Sequence, residues 1–91
     1  MSDTLEIIDA LDRGERRVAA KVDGEWRVDE EAKAAILDYF RISKVEPIEV
    51  GPYQYVDKIP LKHNYAELGV RVVPPATARY GSFLSQGVVM M

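Results

Sequence analysis

From Arg71 the chain reads RVVPPATARYGSFLSQGVVMM, and residues recur in it at a spacing of six: Gly81 with Gly87, Phe83 with Val89. A six-residue period with apolar residues at one phase and small residues at another is the pattern of a hexapeptide parallel β-helix. Few other folds accept it. Each coil takes three hexapeptides, about 18 residues, and several coils must stack before the core closes. Thr77 to Met91 supplies two hexads and part of a third. The reading therefore expects a β-helix only begun within these residues, with most of the chemistry beyond Met91.

What precedes the repeat reads as a small α+β unit. Asp3 and Glu6 stand as an N-cap and its reciprocal third helical position, Leu5, Ile8 and Leu11 follow at helical spacing, and Gly14 closes the segment. A helix over about residues 4–13 is predicted. RVAAKVDGEWRVD then gives two short apolar stretches around Asp23-Gly24, a hairpin signal. A two-residue loop would set Val22 opposite Glu25. A three-residue loop sets Val22 opposite Trp26 and Ala20 opposite Val28, gathers the apolar residues on one face, and is the register expected.

Asp29 is placed to cap a second helix, with Glu30 and Glu31 in its first turn. Ala32, Ala35, Ile36, Tyr39 and Phe40 form one apolar stripe on it. The stripe is expected to pack on the Trp26 face of the hairpin. Residues 44–63 read as extended and irregular, because Pro47, Pro52 and Pro60 each remove a backbone donor and confine strands to edges. Tyr53, Tyr55 and Val56 suit a short strand, Asn64 with Glu67 a capped helical turn, and Val70–Val73 a last strand. Pro74-Pro75 reads as a boundary, dividing an N-terminal unit over 1–73 from the start of the β-helix over 74–91.

Composition removes several functions. The 91 residues carry a net charge of −3, whereas a nucleic-acid binder shows a basic excess. Arg13, Arg16, Arg17 and Lys21 make a local basic patch that Asp12 and Glu15 dilute into a solvated surface. Without cysteine there is no disulfide and no thiolate metal site. His63, the lone histidine, sits in unpatterned surroundings and reads as a surface residue rather than a general base or metal ligand. The start MSDTLEIID puts acids where a signal peptide needs basic residues, and no apolar run approaches the ~20 residues of a membrane span. A cytoplasmic protein without membrane or nucleic-acid partners is expected.

Arg71 stands out by position, in an apolar strand just before the repeat. A guanidinium there can grip a carboxylate through paired hydrogen bonds, or simply face solvent or an internal acid, and spacing alone favours the latter reading.

Four blocks carry a resemblance: LDRGERRVAAKVDGEW from Leu11, ILDYFRI from Ile36, YVDKIPLK from Tyr55 and VRVVPPATARYGSF from Val70. In this order they resemble the N-terminal region of bacterial tetrahydrodipicolinate N-succinyltransferases. The resemblance implies a small N-terminal domain followed by a left-handed parallel β-helix, assembled as homotrimers with active sites between subunits. It implies an acyltransferase of lysine and diaminopimelate synthesis that moves a succinyl group from succinyl-CoA to ring-opened tetrahydrodipicolinate. It places Arg71 at a family arginine that binds the dicarboxylate substrate. The family's catalytic acids and coenzyme A groove belong to later coils, so no catalytic or cofactor residue is expected here. The alternative is a non-catalytic interaction module that pairs through its C-terminal strands.

Overall fold

Two facing helices form the body of the computed structural model, which describes residues 2–91. Helix α1 (Ser2–Arg13) and helix α2 (Glu30–Ile42) bury Ile8, Leu11 and Ala32 between them. Ala32 has no exposed surface, which lets the two helices approach closely at that point. Ile7, Ile36, Tyr39 and Tyr80 close the rim of this core. Burying a Leu- or Ile-sized side chain contributes roughly 1.5–3 kcal/mol, so this handful of residues supplies much of the apolar term.

The C-terminal end of α1 and the N-terminal end of α2 follow their sequence signals, whereas Asp3 lies within the first turn of α1 instead of capping it, so the expected capping box with Glu6 does not form. At α1 the Gly14 N–H donates to Leu11 O (3.1 Å) and the Glu15 N–H to Ala10 O (2.9 Å). With Gly14 at φ +78°, this is a Schellman closure that satisfies two of the helix's orphan carbonyls. At α2 the Asp29 carboxylate accepts from the Ala32 N–H at 3.0 Å, as an N-cap should.

The stripe on α2 packs against α1, not against the hairpin. Strands β1 (Ala19–Val22) and β2 (Glu25–Val28) pair with Val22 opposite Glu25 and Lys21 opposite Trp26. The expected three-residue loop is therefore wrong. Trp26 is 72% exposed and every residue of β2 faces solvent, so no burial term favours one register over another. Turn chemistry decides instead: Asp23 (φ +51°) and Gly24 (φ +81°) both adopt left-handed conformations, which a two-residue type I′ loop requires.

Residues 44–63 hold a second hairpin where an irregular segment with at most a short strand is expected. Strand β3 (Glu46–Val50) pairs antiparallel with β4 (Tyr53–Asp57) around Gly51-Pro52. Both are edge strands, which is where the prolines permit them. The next chain segment crosses α1: the Lys62 N–H donates to Ala78 O and the Tyr80 N–H to Pro60 O, each at 2.8 Å.

A one-turn helix, α3 (Tyr65–Leu68), follows. Asn64 precedes it at φ +59° and its side chain makes no cap hydrogen bond, so the expected capping box with Glu67 does not form. Strand β5 (Arg71–Val72) then pairs in parallel with β6 (Val89–Met90). Arg71 lies opposite Val89 and Val72 opposite Met90, a register of eighteen residues. Among the described residues no helix is long and apolar enough to cross a membrane.

Candidate functional site

Arg71 lies on β5 between inward-facing neighbours. Val70 is buried and Val72 half-buried, while Arg71 is exposed on the opposite side of the strand. Its backbone is fixed, with the Arg71 N–H donating to Val88 O at 2.9 Å and the Val73 N–H to Met90 O at 2.9 Å. Among the described residues its guanidinium has no ion-pair partner. An unpaired guanidinium on a fixed backbone has the two-donor geometry that a carboxylate matches.

Val72, on the other side of the strand, faces a depression of about 320 Å³. The hairpin contributes Val50, Tyr53 and Tyr55 to it, and the facing wall is Pro74, Pro75, Ala76 and Thr77. Arg71 is not among these lining residues. His63 is exposed in the loop beside neighbouring depressions. Among the described residues no cluster of three or more histidine, cysteine or carboxylate side chains could hold a metal.

The basic patch resolves into separate pairings. Arg13 pairs with Glu15 at 2.8 Å. Arg16 makes a two-pronged contact with Asp29 (2.8 and 3.1 Å) and reaches Glu31 at 2.7 Å. The Arg16 guanidinium and the Ala32 N–H hold the Asp29 carboxyl down to about 2, and the two carboxylates raise Arg16. Arg17 lies over the Phe83 ring, 4.3 Å from its centre. Arg16 ties the segment before the first hairpin to the start of α2, and Arg17 ties it to the C-terminal segment.

Sequence reasoning missed the polar node at the centre of the chain. Lys62 is buried, its side chain only 4% exposed, and its ammonium donates to the Asp12 carboxylate (2.7 Å) and to the Asp12 carbonyl (3.1 Å). The same carboxylate accepts the Gly81 N–H at 2.9 Å. One turn earlier on α1, Asp9 accepts the Tyr80 hydroxyl. That hydrogen bond and partial burial push the Tyr80 hydroxyl up to about 12. Nothing in the local pattern Ile59-Pro60-Leu61-Lys62 marks the lysine as interior, because its partner lies fifty residues away.

Two packed helices with a one-turn third, two antiparallel hairpins and a parallel strand pair eighteen residues apart define the class: a small α+β domain. Residues 3–42 match the family described as Tetrahydrodipicolinate N-succinyltransferase N-terminal. The chain is also similar to curated 2,3,4,5-tetrahydropyridine-2,6-dicarboxylate N-succinyltransferases. That from Psychrobacter sp. (strain PRwf-1) is 48% identical over 93% of this chain and 34% of its own length. That from Aeromonas salmonicida (strain A449) is 50% identical over 96% of this chain and 34% of its own length. That from Thioalkalivibrio sulfidiphilus (strain HL-EbGR7) gives the same identity and shares. The chain spans about a third of the length of the curated relatives it matches. The resemblance read from the four sequence blocks thus holds over nearly the whole chain.

Proposed function

We propose that this chain is the N-terminal, substrate-binding part of a succinyl-CoA-dependent N-succinyltransferase acting on tetrahydrodipicolinate. The observation that carries this from the geometry is the parallel pairing of β5 with β6 at a register of eighteen residues. Three hexapeptides make that step, and it is the step by which a hexapeptide β-helix advances one coil. Identities of 48–50% to the named enzymes support the same reading.

In this reading residues 74–91 open a left-handed β-helix and residues 1–73 form the domain before it. Arg71, at the join, binds a carboxylate of the substrate from the exposed side of β5. The guanidinium offers two parallel N–H donors, so it fixes the orientation of the acid as well as meeting its charge. The acyl donor is succinyl-CoA, held by coils that follow, and the working enzyme is a cytoplasmic homotrimer with sites between neighbouring subunits.

The test is a chimera in which this chain replaces the matching third of the Aeromonas salmonicida enzyme. Succinyl transfer is expected, and Arg71→Ala in that chimera should weaken substrate binding by roughly 1.5–3 kcal/mol, the worth of a charge-assisted contact. A folded trimeric chimera without transferase activity overturns the functional reading. An active chimera whose KM ignores the substitution removes Arg71 from the site.

A further inference from the structure

Three polar contacts join α1 to the two segments laid across it, and they converge on two acids one helical turn apart. Asp9 takes the Tyr80 hydroxyl, and Asp12 takes the Lys62 ammonium and the Gly81 N–H. Lys62 and Tyr80 are themselves tied together through the backbone, by the Lys62 N–H to Ala78 O and the Tyr80 N–H to Pro60 O. Between them the side chains alternate. Leu61 pairs with Arg79, and Arg79 turns away from α1 to Asp57 (2.8 Å) and to the Phe40 ring.

We propose that the Lys62–Asp12 pair is a latch, which holds residues 60–62 and 70–90 on α1 as a unit able to open while the α1–α2 pair stays folded. The helical pair has its own buried contacts in Ile8, Leu11 and Ala32, with Tyr80 from the other segment packed at their rim. The coil segment has its own backbone closure, with the Arg71, Val73 and Gly87 N–H groups bonded to Val88, Met90 and Gly69 carbonyls. Each part is internally hydrogen-bonded, and the polar link between them runs through α1's two acids.

A buried ammonium makes such a link all-or-none. Lys62 has two oxygen acceptors, both on Asp12, and a side chain only 4% exposed. Removing one member of a buried pair leaves the other uncompensated, whereas removing both can be close to neutral. Lys62 also lies at the negative end of α1, where a cation is favoured, so the helix holds the latch shut even before the carboxylate is counted. The inference reads this chain alone and stands independently of the proposed acyl transfer. Where both hold, the latch fixes the strand that carries Arg71 relative to the helical body.

Hydrogen–deuterium exchange, followed peptide by peptide on the 91-residue chain, tests it. In Lys62→Met, amides of residues 70–90 are expected to exchange roughly tenfold or more faster, while those of α1 and α2 keep their protection. Restoring neutrality with Lys62→Met/Asp12→Asn should bring residues 70–90 back toward the parent rate, which a packing role of the lysine stem would not do. Tyr80→Phe deletes a single hydroxyl and should loosen the same peptides more weakly, so it carries the test if Lys62→Met does not fold. A uniform rise across both helices, unchanged exchange in residues 70–90, or a double variant no slower than the single one would each overturn the latch.

Discussion

The Phe83 ring occupies the space where a side chain on Gly14 would begin: a Cβ at Gly14 would stand 2.6 Å from two of its carbons. Helix α1 therefore ends against the C-terminal segment at a position that requires glycine twice over, for its φ of +78° and for the ring. Arg17 lies over the same ring, so the ring is held between the turn and a guanidinium.

Gly14→Ala is expected to destabilise the chain by about 1–2 kcal/mol from the left-handed backbone alone, with a further cost from displacing the ring. In a Phe83→Ala background the second part should vanish. A denaturation double-mutant cycle should therefore show coupling between the two sites, and additive effects would contradict the contact.

The α1–α2 seam and the first hairpin should respond very differently to truncation. Ile8→Ala, at a position 2% exposed, should cost roughly 2–5 kcal/mol. Trp26→Ser should fall within about 0.5 kcal/mol of the parent, because the indole rests on nothing that excludes water. A large loss from the tryptophan change would instead favour a hairpin face packed on α2.

Acid should weaken the start of α2. Asp29 is held at about 2, below its ordinary 3.8, first by the Arg16 side chain and then by the Ala32 N–H. A depressed carboxyl contributes its stability above the unfolded value and loses it as pH falls through the folded one. The loss therefore falls between about pH 4 and pH 2. Thermal melts at pH 5 and pH 2.5 should differ more in the parent than in Asp29→Ala. Equal pH dependence in the two proteins would contradict the cap and its ion pair.

Tyr80 should behave oppositely, at the alkaline end. Its hydroxyl is raised to about 12, so it favours folding fully below the ordinary value near 10 and loses that contribution as pH climbs toward 12. Ultraviolet titration of the parent against Tyr80→Phe should assign one late-ionising tyrosine to this position. Asp9→Asn should lower that midpoint.

Arg71→Ala should leave stability within about 0.5 kcal/mol, since the exposed side chain contributes no contact to the fold. Arg71→Lys should rescue the charge but not the two-donor geometry in the chimera. Full rescue by lysine would mean that the site senses charge alone.

The elements most legible in the sequence are those fixed by neighbours along the chain. Asp29 with Glu30 and Glu31, the stripe from Ala32 to Phe40, and Gly14 after Leu11 each specify a local structure, and each forms. Where an inference depended on what a face would touch, it failed. The register of β1 and β2 follows the Asp23-Gly24 turn because neither face meets a core. The α2 stripe meets Ile8 and Leu11, which lie too far back in the chain for periodicity to pair them with it. The β3–β4 hairpin was hidden by its prolines, although Gly51 supplies the positive φ at the first loop position. For Arg71 the strand was readable, but the side chain's freedom from partners could be known only once every acid was placed. Lys62 was unreadable for the reverse reason, since its partner is on another element.

The eighteen-residue step from β5 to β6 also bears on how this region can change over evolutionary time. The parallel pairing sets Arg71 beside Val89 only while the intervening count is preserved. A single inserted residue must be expelled as an outward loop, because absorbing it would shift the register and turn the paired side chains to the wrong face. Relatives should therefore agree closely in the number of residues between positions 73 and 88, even where residue types there differ.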